Sequence, residues 1–154
     1  MVIAPARPKD LPVLREMFLE YERAIGVSLC FQDFPSEVRE LPGAYVPPRG
    51  GLWLASEGDV RAGCVALRPL GHETAELKRL YVRPAHRGGA LGRALVRHAL
   101  DAALAAGYRE VKLDTLPTMA RAQKLYEALG FRDCAPYNDN PVRDVRFMAL
   151  SLRP

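Results

Sequence analysis

From Leu11 to Ile25 the apolar residues Leu11, Leu14, Met17, Phe18, Tyr21 and Ile25 recur every three or four positions, the spacing of one face of a helix. Gly26 supplies its stop, and Asp10 stands at the expected N-cap. Val2 and Ile3, followed by Pro5 and Pro8, predict a short strand before it. Leu52 to Ser56 and Arg61 to Arg68 read as strands flanking Glu57-Gly58-Asp59, the turn of an antiparallel hairpin. Thr74 to Val82 gives a further strand, ended by Pro84. Ala90 to Ala106, closed by Gly107, is the strongest helix. Only Arg93, Arg97, His98 and Asp101 interrupt its apolar surface, so burial over most of its circumference is expected. Glu110 to Thr115 predicts a strand, Met119 to Leu129 a helix stopped by Gly130, and Val145 to Leu152 a last strand.

Between Val27 and Gly51 the pattern weakens to a short helix near Ser36 to Glu40 amid proline and glycine turns, and so long an irregular segment suggests a functional lid. Strands alternating with helices in the second half indicate a mixed α/β sheet. No repeat or linker divides the chain, so one domain over residues 1–154 is expected.

Composition adds exclusions. With 49% hydrophobic and 26% charged residues, the 154-residue chain can bury a core and is not of the disordered class. No apolar run approaches the roughly 20 residues that span a bilayer, and the N-terminus lacks a signal-peptide pattern, so a cytoplasmic location and no membrane partner are expected. Cys30, Cys64 and Cys134 are odd in number and widely spaced, which suggests small core residues and no disulfide framework. His72, His86 and His98 form no ligand pair, so no metal is expected. Lys and Arg number 22 against 18 acids, a net charge of +4. That excess is too small and interspersed to indicate nucleic acid, although an anionic ligand fits it.

Chemistry concentrates after the Thr74 strand. Val82-Arg83-Pro84 leads into Arg87-Gly88-Gly89-Ala90-Leu91-Gly92, which opens the strongest helix. Backbone N–H groups and the helix dipole make such a start an anion site, and glycines let a phosphate approach closely. A Walker loop is excluded because Arg93 and Ala94 follow Gly92, and the glycine spacing does not give a dinucleotide fingerprint. A turn that only packs a helix on a sheet is the alternative for this loop taken alone.

These residues, together with Ala122-Gln-Lys-Leu-Tyr126-Glu-Ala-Leu-Gly-Phe131, resemble the GNAT superfamily of acyl-CoA-dependent N-acyltransferases. The resemblance runs from about Thr74 to Phe131 and departs from the family pattern at Ala90, where glycine is usual, and at Met119, where asparagine is usual. It implies a mixed, mostly antiparallel α/β sheet flanked by helices, with acetyl-CoA as cosubstrate. It also implies that Leu80, Tyr81 and Val82 meet the pantetheine arm, and that Arg87, Gly88, Gly89, Ala90, Leu91, Gly92 and Arg93 hold the pyrophosphate. Arg93 and Arg97 could instead be a solvated pair, the preferred reading for Arg97.

Acyl transfer to an amine needs a neutral nucleophile, oxyanion stabilisation and a proton for the departing thiolate. By the same resemblance Tyr126 supplies that proton, where spacing alone reads it as a core tyrosine. The resemblance implies that Glu76 is a general base, acting directly or through water; the alternative is a solvent-facing strand-end carboxylate paired with Lys78 or Arg79. A backbone N–H near Val82 is the expected oxyanion donor. Tyr21, Phe31, Asp33, Phe34 and Tyr45, with Tyr137-Asn138-Asp139-Asn140, offer aromatic, carboxylate and amide groups suited to a cationic amine, and each fits loop structure equally. The implied activity is N-acetylation of a small-molecule or peptide amine by direct attack, since no cysteine lies in the motifs. A noncatalytic acyl-CoA-binding or regulatory module is the alternative, and a homodimer is an allowed assembly.

Overall fold

Alternation along the strands sets the architecture of the computed structural model, which describes residues 1–29 and 33–153. Seven strands form one sheet in the order β1-β2-β3-β4-β5-β7-β6. They are β1 (Val2–Pro5), β2 (Gly51–Glu57), β3 (Val60–Pro69), β4 (Thr74–Val82), β5 (Glu110–Thr115), β6 (Arg132–Asp133) and β7 (Arg146–Ser151). Every neighbouring pair is antiparallel except β4 with β5. The expected mixed, mostly antiparallel sheet is therefore present, with the predicted β2–β3 hairpin turning at Gly58, whose φ is +60°.

Helices cover both faces: α1 (Leu11–Ile25) and α2 (Phe34–Arg39) on one, α3 (Leu91–Ala105) and α4 (Ala120–Ala128) on the other. Leu14, Met17 and Phe18 of α1 pack with Phe34 and Val38 of α2 on Leu54, Cys64 and Ala66. Leu95, Val96, Ala99 and Ala103 of α3 pack with Tyr126 and Phe131 on Val65, Leu77 and Val111. Full burial of one such aliphatic or aromatic side chain contributes about 1.5–3 kcal/mol, so the two cores dominate the folding energy.

Two local expectations are corrected. α3 buries one face only, because Arg97, His98, Asp101, Leu104 and Ala105 are exposed; alanines read as apolar in the pattern yet need no cover. Asp10 occupies the N-cap position of α1 but makes no side-chain cap there; its carboxylate accepts instead from the Arg7 backbone N–H at 2.9 Å, closing the preceding turn.

Two features of β4 shape the site. Pairing with β5 covers only Thr74↔Glu110, Ala75↔Val111 and Glu76↔Lys112, after which the strands part. The register with β3 shifts between Ala66↔Lys78 and Cys64↔Tyr81, so β4 carries one extra residue there, a β-bulge at Arg79, whose φ is +60°. The bulge resets the alternation, placing Arg79 beside Lys78 on the α1 side and Leu80 and Val82 towards α3. Gly63 allows the close approach of β3 at this point, since a Cβ would lie 2.6 Å from the Tyr81 carbonyl oxygen.

Candidate active site

A cleft of about 540 Å³ opens where β4 and β5 part, within the range of small-molecule sites. Leu80, Tyr81 and Val82 form its floor, the loop from His86 through Arg93 one wall, and α1 with the start of α4 the other. Of the residues expected at the cofactor, all but Leu91 line it; Leu91 packs against the α3-side core.

The loop presents N–H groups without a competing cap, because Ala90 at the N-cap of α3 has no side-chain acceptor. Gly88 adopts φ +89°, a conformation that L side chains rarely take. The Arg87 Nε donates to the Val82 carbonyl oxygen at 2.7 Å, and its guanidinium lies 5.6 Å from the Tyr81 ring centre, tying the loop to the end of β4. Arg93 and Arg121 add positive charge to the cleft, whereas Arg97 is exposed on the outer side of α3. Arg121 lies outside the glycine-rich motif, so motif spacing does not single it out.

Behind this cleft, on the α1 face of the sheet, lies a set of buried charges. The Arg79 side chain, 3% exposed, donates twice to Glu37 of α2, at 2.8 and 2.9 Å, and sits 5.0 Å from the Phe34 ring centre. Burial pushes the Glu37 carboxyl up, but the hydrogen bonds and charge of Arg79 outweigh that and hold it below the ordinary carboxylate range. Glu76 is 1% exposed: Oε1 accepts from Arg68 at 2.8 Å, and Oε2 accepts from the Tyr137 hydroxyl at 2.7 Å, with Lys78 Nζ 4.0 Å away. It is thus a buried carboxylate whose close cation is Arg68 of β3, neither solvent-facing nor paired with Arg79. Burial, followed by the neighbouring Arg79 charge, pulls the Lys78 ammonium down to about 8.

Tyr126 is 5% exposed, with its ring edge-on to Phe131 at 5.6 Å between centres. Burial pushes its phenol up, so the proton stays on oxygen at neutral pH. It stands one residue behind Leu125, which lines the cleft together with Ala122. Tyr21 of α1 lines the cleft, while Phe34 and Tyr45 pack around Phe18 in the core. Asp33 and Asp139 are exposed, and Phe31 and Cys30 lie outside the described residues. Asn138 and Asn140 donate to the Asp114 Oδ2 at 2.9 and 3.4 Å. Burial pushes the Cys64 thiol up to about 12, an inert state for a nucleophile. Among the described residues no group of three His, Cys, Asp or Glu could hold a metal ion, and no helix is long and apolar enough to cross a membrane.

Residues 12–131 match the model of the acetyltransferase (GNAT) family. An uncharacterized N-acetyltransferase of Schizosaccharomyces pombe is 37% identical over 147 residues, covering 94% of this chain and 90% of the relative. The fold is shared with a GNAT-family acetyltransferase of Staphylococcus aureus, with a TM-score of 0.85, 20% identity and 99% of both chains covered. It is also shared with a Salmonella typhimurium protein solved with its cofactor acetyl-CoA, with a TM-score of 0.79, 22% identity and coverage of 100% and 95%.

Proposed function

The chain belongs to the GNAT acetyltransferase family and is an acyltransferase, and from that premise we propose that it moves an acetyl group from acetyl-CoA directly to a primary amine of a small molecule or peptide. The observation that carries this reading is the parting of β4 and β5 after Glu76↔Lys112, beside an uncapped, arginine-flanked helix start. The pantetheine arm fits along Leu80 to Val82, whose backbone faces the gap without strand partners on that side. The pyrophosphate meets the N–H groups between Gly88 and Arg93, with Arg87, Arg93 and Arg121 supplying positive charge.

In the proposed reaction the neutral amine attacks the thioester carbonyl, and the C–S bond breaks with its electron pair on sulfur. Backbone N–H groups of the bulged stretch stabilise the oxyanion. The Tyr126 hydroxyl, kept protonated by burial, protonates the thiolate. Glu76, with both oxygens engaged, holds Arg68, Lys78 and Tyr137 in place under the acceptor. The high Cys64 thiol favours direct transfer over a thioester on the protein.

A panel of amines, from polyamines to amino-acid amides, assayed for thiol release from acetyl-CoA with mass analysis of the product tests the reading. Amine-dependent release with one acetyl group gained by the acceptor is expected. Acetyl-CoA binding without release from any amine would leave a noncatalytic acyl-CoA-binding module.

A further inference from the structure

We propose that the ring of Tyr21 closes the acyl end of the cofactor cleft and restricts transfer to the shortest acyl groups, acetyl above all, a specificity role that rests on the acetyl-transfer reading above. Helical spacing places it. Tyr21, Ala24 and Ile25, three and four positions apart, form the stripe of α1 that lines the cleft. One turn nearer the N-terminus the same stripe continues as Met17 and Phe18, both 0% exposed. Phe18 stacks on Phe34 at 6.4 Å between ring centres and meets Tyr45 edge-on at 6.3 Å, so packed aromatic rings lie beyond Tyr21. Along α1 the cleft therefore ends at Tyr21.

β4 determines which end of the cleft this is. The glycine-rich loop follows the end of the strand, and Arg87 ties it to the Val82 carbonyl oxygen at 2.7 Å. An arm that starts from a pyrophosphate in this loop runs back along Val82 and Leu80 towards the bulge at Arg79. Tyr21 stands at that far end, with the Arg79 guanidinium carbon 5.7 Å from its ring centre. Tyr126, the proposed proton donor to sulfur, is within electrostatic reach of Tyr21. Sulfur near Tyr126 at the end of the arm puts the acyl carbons against the Tyr21 ring.

The neighbouring space offers a longer chain no apolar continuation. Beside the ring the Arg79 side chain donates twice to Glu37, at 2.8 and 2.9 Å, and an alkyl chain pushed against this pair would displace groups that need their hydrogen bonds. The ring acts by filling space, so its hydroxyl is dispensable for this role. One methylene more or less in an apolar pocket changes selectivity by about 10–200-fold.

Acetyl-, propionyl-, butyryl- and hexanoyl-CoA as alternative donors, each with one amine of the panel and read as kcat/KM for thiol release, test the stop. In the parent kcat/KM should fall by about tenfold or more from acetyl to propionyl, and further to butyryl. In Tyr21→Ala the ratio of butyryl to acetyl should rise by about tenfold or more, and taking the ratio within one variant cancels any general loss of activity. Tyr21→Phe should keep the parental ratio. Tyr21→Leu should lie between, and it replaces Tyr21→Ala if that variant fails to fold. Calorimetry without amine gives a second reading: butyryl-CoA should bind the parent about tenfold or more weakly than acetyl-CoA, and the gap should narrow in the alanine or leucine variant. A parent that uses butyryl-CoA as well as acetyl-CoA, alanine and leucine variants that keep the parental ratio, or a Tyr21→Phe ratio altered as much as that of Tyr21→Ala would each overturn the stop while leaving acetyl transfer intact. A parent that releases no thiol with any amine would remove the transfer reading, and the calorimetric gap would still decide on the stop.

Discussion

In the proposed reaction Tyr126 serves packing through its ring and chemistry through its hydroxyl. Its ring belongs to the α3-side core, and Tyr126→Phe keeps that ring, so stability should change little. Turnover should fall by about 10²–10⁴-fold at saturating amine with little change in either KM, because the donor acts only as the C–S bond breaks. Steady-state kinetics would read this; a raised acetyl-CoA KM at parental turnover would mark a cofactor-positioning role instead. At Gly88, whose backbone φ is +89°, glutamate would put a negative charge where the pyrophosphate is proposed to lie. Calorimetry should show acetyl-CoA affinity of Gly88→Glu falling by at least tenfold in a folded protein, and equal affinities would displace the phosphate loop. At this scale spacing and resemblance singled out the glycine loop, which lines the cleft except at Leu91, and Tyr126, which packs in the α3-side core next to Leu125 of the lining. The contacts of Asn138 and Asn140 with Asp114 were not singled out, because they join residues 24 and 26 positions apart.

Element by element, periodicity located what it could measure. β4, β5 and α1 have the bounds their patterns predict, since each pairs a clear period with proline or glycine at an end. Two features had no periodic signal: the two-residue β6, and the bulge at Arg79, which is held by a partner 42 positions away. That partner makes α2 a latch on the bulge. Because the Glu37 carboxyl is held below its ordinary value, the pair stabilises the fold above the ordinary carboxylate range of about 4.3, and this contribution is lost as pH falls through the lowered folded value. Hydrogen-exchange protection factors over 34–39, corrected for the intrinsic rate, should therefore fall on acidification through that range. Glu37→Gln should abolish the pH dependence and, by leaving the Arg79 charge buried without its anion, destabilise the protein by about 3–5 kcal/mol in denaturant unfolding. An acid response unaltered in Glu37→Gln would contradict the latch.

For the whole molecule, the two cores hold the sheet rigid on both faces, while the break in β4–β5 pairing leaves one cleft running through the sheet between them. The sheet class was readable from the order of strands and helices. The break has no signal in the pattern itself, because a strand that loses its neighbour partway has the same composition as one that keeps it; only the resemblance, which puts the pantetheine arm along Leu80 to Val82, points to it. Transfer across that break is most directly tested by a rapid-quench single turnover with acetyl-labelled acetyl-CoA and the best acceptor of the panel. The label should pass from CoA to the amine in one phase, with none trapped on denatured protein. Label that accumulates on the protein before reaching the amine, or that stays on CoA, would contradict direct transfer in this cleft.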